Sequence, residues 1–446
     1  MTSFSALRTP VQRGVAGWNA ILAPQLAPEL LDADQTADFV IIGAGFAGLS
    51  AACRLTQLAP DASIVVLEAG RVAEGAAGRN SGFMIDLPHN LPGADKTAAR
   101  GEAELIALNR FAQDFASDAV QDFNIDTNYF DRAGKINGAV DPRTETILAH
   151  EAAHLADTNE PYEMLDAAQM AEVTGSPYYT SGLFTPGTVM LQPAGYIRGL
   201  TAGLRRNGVS IFENSPATGF SRQGDGWTVT TPKGRISAGK VILCVNGHLE
   251  SFGIAKGRLM QLFLFGAMTP ELTQDQIAAL GGQSRWGITP ADPMGPTVRR
   301  IDSGQGGNRL VIRSAAAMRS AMESRASDLN RAKVAIQRGF DARFPSLAGM
   351  TMEHTWAGHL CLSLNGVAVM RELEQGVFSA CVQNGLGTAR GTLTGIGAAE
   401  LACGVASDVT KRFTSEPEPK KLPPHPIRDI GGNATLRWKE WRARRA

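Results

Sequence analysis

Three glycines, Gly43, Gly45 and Gly48, stand in the order G-x-G-x-x-G directly after the apolar run DFVIIG (38–43). At this spacing the first glycine permits a tight turn and the second lets backbone N–H groups approach a pyrophosphate. The third lets a helix pack close to a strand. The helix opened by Phe46 and Ala47 then aims its free N–H groups and the positive end of its dipole at the phosphates. Glu68, followed by Ala69, lies 20 residues after Gly48, at the end of the run SIVVLE. A carboxylate there accepts hydrogen bonds from ribose hydroxyls and repels a 2′-phosphate. Strand, turn, helix, strand and acid are in register, and together they predict dinucleotide binding.

A second spacing competes for attention. His150-Glu151-Ala152-Ala153-His154 is an H-E-x-x-H sequence, which puts two imidazoles on one helix face beside a general base. Glu172 is a conceivable third ligand. The same residues also read as charges on a solvated helix face. That is the reading adopted, and no metal is expected.

The elements that must position these groups follow from pattern. The βαβ unit implies a parallel, Rossmann-like sheet. Residues 95–123 and 144–174 carry helical periodicity, 209–245 reads as strands, and so do 257–268 and 308–313. Residues 320–345 are helical again, and 355–382 looks like a hairpin before the Gly-rich stretch QNGLGTARGTLTG and an Ala-rich helix. Dinucleotide-type elements at both ends, with strand-rich material between, predict an α/β (overall α+β) fold. Its cofactor domain is discontinuous and receives an inserted antiparallel-sheet substrate domain. The expected division is a mobile or surface-lying N-terminal arm (1–35), cofactor parts 36–95, 146–250 and 346–405, substrate parts 96–145 and 251–345, and a tail (406–446).

Composition narrows the class. Lys+Arg and Asp+Glu are 43 each, so no net field draws nucleic acid or an anionic membrane. No stretch approaches the ~18 apolar residues of an integral membrane segment. The five cysteines are odd in number and scattered, which argues against disulfides and for a reducing cytoplasm.

The stretch after Glu68 resembles the second flavin-binding segment of the D-amino-acid oxidase superfamily. Gly75, Ala76, Ala77, Gly78, Arg79, Asn80, Ser81 and Gly82 occupy its G-A-S-G-R-N-G-G-like pattern. VILCVNGH (241–248), with Asn246 and Gly247, resembles the family's strand ending in A-x-G. Trp356-Ala357-Gly358 with Asn365-Gly366 resembles its W-A-G…D-G motif. Gly385-Leu386-Gly387-Thr388 resembles its G-H-G segment, which opens a helix toward the pyrimidine end of the flavin. The resemblance implies FAD as cofactor, held by these residues and by Ala217, with Arg79 screening phosphates. It also implies oxidation of a small amine or amino acid. Hydride passes to flavin N5, the imine hydrolyses, and dioxygen accepts the electrons to give H2O2.

Within the superfamily the chain looks most like the glycine oxidase, sarcosine oxidase and γ-glutamylputrescine oxidase branch, with instructive departures. Gly358 stands where covalent-flavin members carry Cys, and Cys361 is out of register by three, so FAD is expected to be non-covalent. Leu360 replaces the Arg that grips a substrate carboxylate, and Ala389 replaces an oxygen-activating Lys. Arg313, ending NRLVIR, is the leading replacement carboxylate fork, with Arg79 and Arg390 as rivals. His359, Phe263 and Phe265 are candidate pocket residues. An N-substituted glycine or iminodiacetate-like substrate is favoured. A dehydrogenase delivering electrons to a quinone or flavoprotein, and an electron-relay subunit of a hetero-oligomer, are the alternatives.

Overall fold

The computed structural model describes residues 2–6, 8–88 and 99–443. β1 (Gln35–Ile42), α1 (Phe46–Leu58) and β2 (Ile64–Leu67) form the parallel unit, in register from Phe39↔Ile64 to Ile42↔Leu67. All four residues of β2 are buried, as a strand covered on both faces requires. β3 (Arg235–Leu243) runs parallel to β1 on its other side, and Val377–Cys381 runs parallel beyond β3. Antiparallel strands 219–223 and 226–230 extend this nine-stranded sheet.

The second sheet has eight strands. Four of them build the site: β4 (Leu259–Met268), β5 (Thr297–Ile301), β6 (Arg309–Met318) and β7 (His354–Ser363), in the spatial order β7-β4-β6-β5. Trp286–Pro290, Lys135–Ala139, Ser181–Thr185 and Glu163–Asp166 continue it, with one parallel pair, 286–290 beside 135–139. Its outer face is covered by α2 (Ala326–Arg343), whose Ile336 and Phe340 join Phe263, Phe265 and Ile312 in one core. α3 (Ala389–Ala402) returns to the first sheet and packs on α1, and α4 (Ile427–Arg442) closes the described chain.

Several expectations change here. Strands 163–166 and 181–185, expected within the cofactor part 146–250, pair in the second sheet. β7, expected in the cofactor part 346–405, pairs along its whole length with β4, from Leu259↔Ser363 to Met268↔His354. Ten-residue strands of matched length out-compete a local hairpin, so the hairpin is confined to Val369–Glu374 with Val377–Cys381. The expected boundary at 95/96 lies outside the described residues.

The arm does not simply lie on the surface. Ser3–Ser5 adds an edge strand to the first sheet, and Trp18 is fully buried. Gly14 and Gly17 make that possible, since a Cβ at either would fall within 2.1 Å of Thr355 O or 2.6 Å of the Trp356 ring. Among the described residues all five cysteines are free, and no helix is long and apolar enough to cross a membrane.

Candidate cofactor and substrate site

The glycine turn is built as its spacing requires. Gly43 has φ +107°, and a Cβ on it would sit 2.6 Å from Cys244 O at the end of β3. A Cβ on Gly48 would sit 1.8 Å from Gly43 O, so this glycine sets the distance between helix and strand. Gly45 differs, because its Cβ would meet only Ala77 Cβ, at 3.7 Å. The space in front of the N-terminus of α1 is therefore open, between the glycine turn and the segment 75–82. Glu68 closes one side, its carboxylate accepting from Ala44 N (2.9 Å) and Gly70 N (3.1 Å). Burial pushes its pKa up. Ala69 beside it is exposed, and Ala217 lies two residues past Ser215, whose N–H donates to Glu68 O.

The segment 75–82 is locked in place from several directions. Ala76–Gly78 is a single 3₁₀ turn, and Asn80 bonds back to Ala77 O and accepts from Gly82 N. Trp356 on β7 donates to Arg79 O at 3.0 Å, and a Cβ on Gly358 would lie 3.3 Å from that same oxygen. Thr388 donates to Phe83 O, which ties the segment to the start of α3. That helix begins at Ala389, so Gly385-Leu386-Gly387-Thr388 leads directly into it. Its Gly395 meets Ala47 closely, a Cβ there falling 2.1 Å from Ala47 O. Asn246, at φ +49°, accepts from Gln383 N, which ties the end of β3 to the Gly-rich stretch before α3, while Gly247 packs against Gln261, Cys361 and His359 instead. The segments thus converge on one open space with small residues, a helix N-terminus and an acid around it. These residues fit FAD.

Comparison with known proteins agrees. Residues 38–401 match the family described as FAD dependent oxidoreductase. The chain belongs to this family. It is 23% identical over 416 residues to "Probable oxidoreductase OrdL" of Rhizobium meliloti (strain 1021), covering 90% of this chain and 91% of that one. It is 26% identical over 238 residues to γ-glutamylputrescine oxidoreductase of Escherichia coli (strain K12), covering 52% of this chain and 55% of that one. Glycine oxidase from Geobacillus kaustophilus has the same fold, with a TM-score of 0.67 at 15% identity over 83% of this chain and 96% of that one.

In this FAD-dependent oxidoreductase a narrow cavity of about 10 Å³, room for about one water, lies beside the segment 75–82. Arg79, Asn80 and Ser81 form one wall, and Thr297, Arg299, Arg313 and Trp356 of the second sheet form the other. Arg313 donates to Thr297 Oγ1 (2.5 Å) and Gly295 O (3.5 Å), and burial lowers its pKa to about 10. Arg299, not anticipated from the sequence, donates to Leu191 O, Gln305 Oε1 and the carbonyls of Ser81 and Gly82. Burial lowers its pKa to about 9. A Cβ on Gly82 would lie 2.1 Å from Arg299 Nη1, which explains the glycine. Among the described residues, no carboxylate lies within ion-pair distance of either guanidinium.

Trp18 was also missed. Its indole N–H donates to Asn80 O at 2.9 Å, Gln192 donates to its carbonyl, and Arg299 lies 5.0 Å over its ring. Arg79 turns out to clamp carbonyls rather than face phosphates, donating to Glu74 O, Gly14 O and Ala357 O. Arg390 pairs with Glu416 and covers Phe413, away from the cavity. Phe263 and Phe265 point to the α2 side of the sheet and belong to its core. His359 also misses the cavity. It bonds to Gln261, 5.2 Å from the Phe263 ring, and burial lowers its pKa to about 3, so it stays neutral. In the H-E-x-x-H helix, His154 meets Glu102 while Glu151 accepts from Asn137, so the two side chains engage different partners.

Glu68→Ala should weaken FAD binding by about 1.5–3 kcal/mol, the range for a hydrogen bond to a charged group. Flavin titration of the apoprotein measures it, and unchanged affinity would remove Glu68 from the cofactor site.

Proposed function

We propose that this oxidoreductase is an oxidase of a C–N bond in a small carboxylate-bearing amine, an N-substituted glycine or iminodiacetate-like compound. One observation carries the reading: Arg313 lines the cavity next to the segment 75–82, and among the described residues no carboxylate lies within ion-pair distance of it. A guanidinium partly withdrawn from water with no counter-charge at ion-pair distance is costly, and a substrate carboxylate would relieve that cost. Arg313 lines the cavity with its two terminal nitrogens bonded to Thr297 Oγ1 and Gly295 O, and Arg299 holds the backbone of Ser81 and Gly82 in place. The name of the γ-glutamylputrescine relative supports an amine substrate.

Bound FAD supplies the two-electron acceptor that turns an amine into an imine, which water hydrolyses to a carbonyl compound and a released amine. The protein's own part is orientation and exclusion of water. Trp356, Asn80 and Ser81 wall the cavity, and among the described residues no side chain there is placed as an acid or base, His359 being neutral and turned to Gln261. The substrate must therefore enter as the free amine. Dioxygen is the proposed electron acceptor, and the free thiols suit a cytoplasmic setting. Peroxide release in air, screened across N-substituted glycines and simple amines, tests the reading. Turnover only with an artificial acceptor would make the protein a dehydrogenase instead.

The flavin is proposed to be non-covalent, because Gly358 offers no attachment atom. Cys361 is buried on the opposite face of β7, and burial raises its thiol pKa well above normal. Acid precipitation should leave the yellow colour in the supernatant. Colour in the pellet would refute this.

A further inference from the structure

We propose that α4 docks the protein on the surface of an anionic lipid bilayer, lying flat with its outward face in the headgroup region. The helix is amphipathic in the reverse of the usual sense. Its polar face is turned inward onto β6, whose residues 314–318 extend past the end of β5 and present an open strand edge. Asn433 exchanges two hydrogen bonds with Met318, accepting from its N–H (3.1 Å) and donating to its carbonyl (3.0 Å), as a neighbouring strand would. Glu440 accepts from Ala316 N, Arg437 donates to Ala316 O, and Asp429 bonds Ser320. This covers an edge that would otherwise invite another strand, and it fixes how the helix is rotated.

The opposite face is consequently apolar and uncovered. Ile427, Ile430, Ala434, Trp438 and Trp441 follow one another at helical spacing, and all are exposed. The four large side chains are 63%, 68%, 53% and 61% exposed in that order. The other four tryptophans (18, 227, 286 and 356) are buried, so the two on α4 depart from the chain's own rule.

Charge decides between occupants. Lys439 and Arg442 flank the stripe, and Arg444 and Arg445 follow in the sequence, so the zero net charge of the whole chain hides a local basic cluster. A second copy would bring like charges together across a two-fold interface. Anionic headgroups complement them, and tryptophan with flanking Lys and Arg is the composition of interfacial helices. Sixteen residues span about 24 Å, too short to cross a bilayer and suited to lying on one.

The test uses purified full-length holoenzyme and vesicles of phosphatidylcholine, with or without phosphatidylglycerol. Wild type is expected to float with the anionic vesicles, to blue-shift its tryptophan emission on mixing, and to release at high salt. The double variant W438S/W441S and the charge reversal K439E/R442E should each reduce bound protein about tenfold or more while keeping wild-type flavin content. Trp438, Trp441 and Arg442 are exposed and Lys439 is half-buried, and flavin content reports that folding is intact. Wild type that stays in solution with anionic vesicles, or binds neutral ones equally, overturns the proposal. So does a dimer in sedimentation that W438S/W441S dissociates, which would assign the stripe to a second copy.

Discussion

Gly45→Val should yield folded, colourless protein. The structure separates this glycine from its neighbours in the motif. A Cβ at Gly48 would fall 1.8 Å from Gly43 O, so a side chain there forces helix and strand apart. At Gly45 the nearest atom is 3.7 Å away, and the polypeptide alone would tolerate a side chain. What valine would occupy is the open space before the first turn of α1, where phosphates must approach the backbone N–H groups. The expected result is therefore near-complete loss of the flavin absorbance ratio, with circular dichroism close to that of wild-type apoprotein. Gly48→Val should instead fail to accumulate as folded protein. Flavin retained in Gly45→Val would show that the fingerprint holds something else.

Arg313→Ala should lower kcat/KM for the best carboxylate substrate by about two to three decades, corresponding to about 3–4 kcal/mol. The estimate sits toward the low end for a lost buried partner because Arg313 is only partly buried. Arg313→Lys keeps the charge but loses the two parallel donors, so an intermediate loss is expected. Flavin content should not change in either variant, because Arg313 reaches Thr297 and Gly295 rather than the segment 75–82. Steady-state peroxide assays with a matched pair, the amino acid and its decarboxylated amine, separate a carboxylate effect from general damage. Equal activity of Arg313→Ala and wild type on the acid would move the carboxylate site to Arg299 or remove it.

The cofactor half of the site was legible because its geometry is local. A glycine turn, a helix start and an acid at a strand end are set within about thirty residues of chain, and short-range sterics permit few arrangements. The substrate half is not local. Whether Phe263 and Phe265 or their neighbour Gly266 face the cavity depends on strand register, including the irregularity at Leu264/Phe265. One residue of slip exchanges the two faces. His359 was misplaced for the same reason, since alternation along β7 sends Trp356 and Gly358 toward the flavin segment and His359 away. Arg299 carries a signal in the sequence. TVRRI buries every residue, and two arginines inside a fully buried strand need a reason. Trp18 had a weaker one, an aromatic residue closely preceded by Gly14 and Gly17.

The segment from Gln12 to Trp18 also bears on how the molecule is assembled. Gln12 accepts from His359 N and Arg13 O accepts from Ala357 N, the first of these joining residues 347 positions apart. Such a contact closes one of the longest loops among the described residues, so it forms late if folding follows sequence separation. On a ribosome the segment emerges early and must wait until β7 has been made. The glycine turn and Glu68 can be in place long before that moment. A chain interrupted between Glu68 and residue 356 would carry the glycine turn and the acid yet lack both the latch and the start of α3. Completion of the cavity therefore waits on β7, whose Trp356 lines it and whose Ala357 and His359 hold the early segment in place.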